Sequence, residues 1–209
     1  MTSPPTDPLP QNRNAARASA TRAKLIATAR ALFGERGFQA VSAEEIVRTA
    51  GATRGALYHH FRDKEDLFCA VYEELENELT VEIGQAMASS PEVLEKGPWE
   101  ALREGSRLFL QVCRRPEVRR ITLIDAPRVL GWERWREIGA RYGLGLLEAT
   151  LTAAIEAGEI EPRPVATLAH MLMGAVDELA LMVARAEDSD AAQAEAQATV
   201  GWLLEALRR

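Results

Sequence analysis

Residues 53–64 read Thr-Arg-Gly-Ala-Leu-Tyr-His-His-Phe-Arg-Asp-Lys, and most of the chain's candidate chemistry is concentrated there. Leu57 and Phe61, four apart, share one side of a short helix, which leaves Arg54, Tyr58 and His59 on the other. A short helix with an apolar back, small residues near its start and donors along its front suits the reading of base edges in a DNA groove. It does not suit bond breaking. Catalysis needs a converging nucleophile, base or metal ligand set. The chain has only three histidines, two of them adjacent at 59 and 60, and no carboxylate–histidine pair at ligand spacing. Cys69 and Cys113 lie far apart among apolar neighbours and read as small buried hydrophobes; a redox sensor would need an exposed, electropositive setting. No enzyme, metal or cofactor is therefore expected.

The elements that position this segment are legible on either side of it. A first helix is expected from Thr21 to Arg36, with Leu25, Ile26, Ala29, Leu32 and Phe33 on its inner face. Gly37 can end it in a left-handed conformation, with Phe38 folding back on Phe33. Ser42-Ala-Glu-Glu45 is a capping box that opens a second helix bearing Ile46, Val47 and Ala50. Gly51 closes that helix and Thr53 caps the third. Asp63 caps a fourth, which carries Leu67, Phe68, Val71, Leu75, Leu79 and Ile83 inward. Two short helices joined by a glycine turn and braced by a longer one make a helix-turn-helix.

The runs Phe33-Gly-Glu-Arg-Gly-Phe38, Val41-Ser-Ala-Glu-Glu-Ile46, Ala50-Gly-Ala-Thr-Arg-Gly-Ala-Leu-Tyr-His-His-Phe61 and Asp63-Lys-Glu-Asp-Leu-Phe68 resemble the DNA-binding domain of TetR-family regulators. The resemblance covers residues 21–68, about a quarter of the chain. It implies that Thr53 and Arg54 begin the recognition helix, with Arg54 able to pair bidentately with guanine. It implies that Gly55 and Ala56 allow close approach to the bases, and that the Tyr58 hydroxyl meets phosphate. His59 and His60 would meet bases or backbone, although many relatives carry an aromatic where His59 stands. Lys64 would grip phosphate, and Ser42 would present its helix N-terminus to phosphate. Each residue has a plainer role open to it: a cap for Ser42 and Thr53, partial packing for Tyr58 and His60, a solvated charge for Arg54 and Lys64.

Charge divides the same way. Residues 1–65 carry a balance of +4 and residues 66–209 a balance of −10, so a basic head precedes an acidic body. The expected organisation is a flexible tail over 1–19, a helix-turn-helix domain over 20–66, and a helical ligand-binding and dimerisation domain over 67–209. The fold class is all-α, with about nine helices, the later ones near 98–114, 117–126, 132–157, 164–187 and 190–208. No secretory leader is visible. The most apolar stretch, Leu168 to Ala184, is broken by His170, Asp177 and Glu178, so no membrane span is read and the protein is expected in the cytoplasm.

In the body, Leu168, Leu172, Val176, Leu179 and Val183 form one stripe and Val200, Leu203, Leu204 and Leu207 another. The family resemblance implies that two such helices from each of two subunits form a four-helix bundle; the plainer reading is closure of the chain's own core. Trp99, Phe109, Trp132, Trp135, Tyr142, Met171 and Met173 are the large residues available to line a pocket. Asp177 and Glu178 stand out in an apolar helix, since a buried carboxylate needs a partner such as an arginine or a cationic ligand; one of them is expected at a solvated rim. The resulting expectation is a homodimeric regulator, a repressor released from a palindromic DNA operator when a small molecule enters the body. The alternatives are a helical adaptor that meets protein through 53–61, or a DNA binder indifferent to ligands.

Overall fold

In the computed structural model, which describes residues 10–208, helix α1 spans Pro10–Arg36. It starts well ahead of Thr21, so residues 10–19, expected within a flexible tail, are helical instead. Proline at the first helical position loses no hydrogen bond, and the alanine-rich run behind it favours helix. Residues 1–9, the rest of the expected tail, lie outside the described residues. Helices α2 (Ala43–Thr49), α3 (Arg54–His60) and α4 (Lys64–Ser89) follow. The chain divides into two compact units between Val71 and Tyr72, inside α4, a few residues beyond the expected boundary at 66.

The first unit is held by an apolar centre drawn from all four helices. Leu25, Ile26, Ala29 and Phe33 of α1, Ile46 of α2, Leu57 of α3 and Leu67 and Phe68 of α4 are all fully buried. Gly37, with φ near 82°, ends α1 as its amide donates to the Phe33 carbonyl. The turn brings Phe38 back, and the rings of Phe33, Phe38 and Phe68 meet pairwise with centroids 5.2–5.6 Å apart. Edge and tilted contacts of this kind add to the area they bury.

The second unit comprises the rest of α4, then α5 (Pro91–Lys96), α6 (Pro98–Val112), α7 (Pro116–Val118), a π-helical segment Arg119–Asp125, α8 (Ala126–Val129), α9 (Trp132–Glu156), α10 (Val165–Arg185) and α11 (Ser189–Glu205). Helix α5 escaped the sequence reading although Ser90 caps it and Pro91 takes its first position. The helix expected to end near 126 instead runs on, with Pro127 in the first turn of α8. Here the Ala126 amide reaches back five residues to Ile121, so the wider π turn carries the chain through a proline that cannot donate. Helix α6 packs on α9 and α11, and α10 also packs on α9 and α11.

Among the described residues, α10 is the helix long and apolar enough to cross a membrane by length and composition. One side of it, Leu168, Ala169, Leu172, Ala180, Leu181, Val183 and Ala184, is buried within the same unit. This bears on the expected pairing stripes. Leu168, Leu172, Val183, Val200 and Leu204 already close the chain's own core, and Val176, Leu179, Leu203 and Leu207 are only partly exposed. The large apolar side chains left outward on these helices are Met171 (48% exposed), Met182 (57%) and Trp202 (73%).

Candidate nucleic-acid interface and cavity

Local hydrogen bonds set the angle between α2 and α3. The Ser42 hydroxyl accepts from the Glu45 amide and the Thr53 hydroxyl from the Ala56 amide, each at 3.1 Å. Gly51, with φ near 59°, turns the chain between them. The Glu45 carboxylate takes both guanidinium nitrogens of Arg36 at 2.6 and 3.1 Å, and that pairing holds its pKa below the usual carboxylate range. Arg36 also donates to the Ala40 carbonyl at 2.8 Å, which ties the loop before α2 to the end of α1.

With Leu57 and Phe61 buried, the opposite side of α3 is outward. Thr53, Arg54, Gly55, Tyr58 and His59 are exposed, Ala56 and His60 half-buried, and Ser42 is exposed at the start of α2. The Arg54 guanidinium lies over the Tyr58 ring at 5.5 Å and 3.6 Å from the Glu44 carboxylate. It is therefore drawn toward α2 yet remains 71% exposed, free to swing toward a base. The imidazoles of His59 and His60 stack edge-on at 5.0 Å. Burial, then the neighbouring His59 and Arg22, push the His60 pKa down, so at neutral pH this ring is neutral and donates through one nitrogen only.

Lys64 departs from the expected role. Its ammonium donates to the carbonyls of Phe38 at 3.0 Å and Val41 at 2.9 Å, and rests 3.9 Å above the Phe38 ring. Burial lowers its pKa. Two of its three donors are thus engaged within the protein. Lys64 is a latch that fastens the first turn of α4 to the loop between α1 and α2, rather than a free grip on phosphate.

The second unit encloses a cavity of about 140 Å³ among α4, α6, α9, α10 and the π-helical segment. Phe109, Trp135, Met173 and Asp177 line it as expected. Trp99, Trp132, Tyr142 and Met171 do not. Trp99 is buried elsewhere, beneath the Arg208 guanidinium, while Trp132 and Met171 point outward. Of the two unusual acids, Glu178 is exposed and Asp177 ion-pairs with Arg136 of α9. The sequence reading missed Tyr72, Glu76, Cys113 and Arg136, which share the cavity wall. Glu76 carried a signal: it interrupts the inward stripe of Tyr72, Leu75, Leu79 and Ile83 on α4. Burial and the Asp177 charge raise the Glu76 carboxyl to about 7, and burial raises Asp177 to about 6 against the pull of Arg136.

Comparison with known proteins places this architecture. Residues 25–71 match the model for bacterial regulatory proteins of the tetR family, and residues 99–207 match that for the tetracyclin repressor-like C-terminal domain. The Transposon Tn10 TetC protein of Escherichia coli is 29% identical over 154 residues, covering 74% of this chain and 75% of that one. A shorter stretch is matched by the HTH-type transcriptional regulator AcrR of Shigella flexneri, 45% identical over 56 residues, 27% of this chain and 26% of AcrR. A TetR-family transcriptional regulator from Pectobacterium atrosepticum superposes with a TM-score of 0.81 at 32% identity, covering 92% of this chain and 96% of that one. RolR, crystallised with the ligand resorcinol, shares the fold at a TM-score of 0.68 and 22% identity, over 90% of each chain. The chain belongs to the TetR family of helix-turn-helix transcriptional regulators, which are not enzymes.

Proposed function

We propose that this regulator acts as a homodimeric repressor that holds a palindromic operator and lets go when a small molecule enters the cavity. The carrying observation is the double service of α4. Its Tyr72, Glu76, Leu79 and Ile83 line the cavity, and its first turn is latched through Lys64 to the loop that precedes α2. A helix of 26 residues is about 39 Å long and transmits a shift along its axis with little internal give. A ligand that moves the cavity-lining part of α4 therefore disturbs the seating of the helix-turn-helix. It acts only through its difference in affinity between the DNA-competent and released states.

On the DNA side, Arg54 reads a guanine, Gly55 and Ala56 permit close approach, and Ser42, Thr53, Tyr58, His59 and His60 meet backbone or neighbouring bases. The basic balance of the head supports this reading. The outward Met171, Met182 and Trp202 support pairing through α10 and α11, with the partly exposed Leu179 and Leu203 beside them. Two copies then present two recognition helices to half-sites about 34–36 Å apart, or further if the operator is longer. That RolR was solved with resorcinol supports the use of this fold for a small ligand.

Selection of bound fragments from genomic DNA, followed by fluorescence anisotropy on the selected sequence, tests the reading. Affinity should fall steeply with salt as condensed counterions are released. Trp202→Glu together with Met182→Glu should yield a folded monomer by sedimentation with much weaker operator binding. A salt-independent interaction, or a monomer that binds as tightly as the parent, would overturn it.

A further inference from the structure

The polar groups of the cavity are unbalanced in two ways. The first is hydrogen bonding. The Ser106, Thr122 and Thr150 hydroxyls donate to carbonyls one turn back on their own helices, at 2.8–2.9 Å. The Tyr72 hydroxyl donates to the Trp135 carbonyl at 3.3 Å, and the Trp135 indole to the Thr122 carbonyl at 2.9 Å. The Glu76 carboxyl faces the same space and has Tyr72 as a hydrogen-bond partner, through a single hydroxyl that it shares with the Trp135 carbonyl. The second is charge. Arg136 is taken by Asp177, and among the described residues Glu76 is in no ion pair. The titratable groups that share the wall with Glu76 are Tyr72 on its own helix, Cys113 at the end of α6, Arg136 on α9 and Asp177 on α10. With both acids ionised they leave one uncompensated negative charge in an otherwise apolar enclosure.

Accepting the cavity as the effector site, we propose that it takes a small protonated amine on a single-ring apolar body, the ammonium seated on Glu76 and flanked by the Asp177–Arg136 pair. An ammonium supplies further donors to that carboxyl and the positive charge the wall lacks. The rings of Tyr72, Phe109 and Trp135 belong to the wall, as do Leu79, Ile83 and Leu102, and supply the apolar surroundings for the ligand's ring. The volume, about 140 Å³, is close to that of cavities that hold benzene, at about 150 Å³. An anionic ligand would confront Glu76 with the one cation already neutralised. Burial first, then the same Glu76 and Asp177 carboxyls, push the Cys113 thiol well up. A bound ammonium favours the ionised form of Glu76, so binding takes up no proton above about pH 7 and must release one below it.

Isothermal titration of the full chain with benzylamine, benzyl alcohol and benzoate at pH 8 tests the site. Benzylamine should bind at least about tenfold tighter than benzyl alcohol, and benzoate should not bind detectably. Lowering the pH to 6 should weaken benzylamine binding in the unaltered chain and leave benzyl alcohol unchanged. Glu76→Gln should erase the preference for the amine; the pH comparison needs no variant and stands if this one fails to fold. Failure of benzylamine to bind, equal binding of the alcohol or benzoate, or a preference that survives in a folded Glu76→Gln protein overturns the amine site. Operator anisotropy in parallel separates the two readings. Amine binding that leaves DNA affinity unchanged would sink the effector role and spare the site. Release of DNA by a neutral or anionic compound, with no amine binding, would do the reverse.

Discussion

The two units treat charge in opposite ways. In the first, Arg54, Tyr58 and His59 stand in solvent on a helix whose back is locked by Leu57, and the face is complete before any partner arrives. In the second, Glu76, Asp177 and Arg136 are drawn inside an apolar shell where one carboxyl lacks a counter-charge. A surface of the first kind binds a polyanion through many weak, screened contacts and so answers to salt. An interior of the second kind holds an unfavourable charge that one ligand can relieve, and so answers to pH and to chemical identity. The head is built for a large, uniform partner and the body for a small, particular one.

The largest test of this division removes the ring at the centre of the head. Phe33→Ala should destabilise by about 3–5 kcal/mol, because a fully buried aromatic leaves a cavity as well as lost transfer energy. Denaturant titration should then show the head unfolding early while the body keeps its transition; a single unchanged transition would dissolve the two-unit contrast. Next, Arg54→Ala should lower operator affinity by about 1–3 kcal/mol and relax preference at one base pair, read by binding to a randomised half-site. A uniform loss across sequences would reassign Arg54 to backbone contact.

Lys64→Met should cost about 1–3 kcal/mol of stability, since two buried carbonyls lose a charged donor. The slope of affinity against salt should stay the same in that variant. A slope reduced by about one phosphate would show that the lysine also reaches DNA. The smallest effect concerns Glu76. Its folded pKa of about 7 lies above the ordinary glutamate value of 4.5, so the folded state holds a proton that the unfolded chain has lost. That contribution is fully present below about pH 4.5 and is lost as pH rises through about 7. Glu76→Gln should therefore raise the melting temperature at pH 8 by more than at pH 5.5. An equal shift at both values would place the charge in solvent and weaken the contrast with the head.

Much of the head was readable because its determinants are local. The Ser42 and Thr53 caps, the Gly37 and Gly51 turns and the Phe33–Phe38 contact each join residues a few positions apart, and all form as their types and spacing require. The inward partners of Lys64 were not foreseen because they lie 26 and 23 residues away. The body was readable as helices but not as surfaces. Leu168 and Met171 belong to the same apolar helix, yet one is buried in the core and the other faces outward. Trp132 and Trp135 differ by less than one turn, and only Trp135 reaches the cavity.

By itself, the order of residues determined that the chain is helical, where most helices begin and end, and that a helix-turn-helix lies near its start. Caps, glycines and apolar spacing act over one or two turns, within reach of covalent connection. Only the tertiary structure decided which stripe closes the core, which side chains remain outward, and that Glu76 meets Asp177 about a hundred residues on. Those outcomes depend on which helix covers which face, and helices far apart in sequence settle that by packing together.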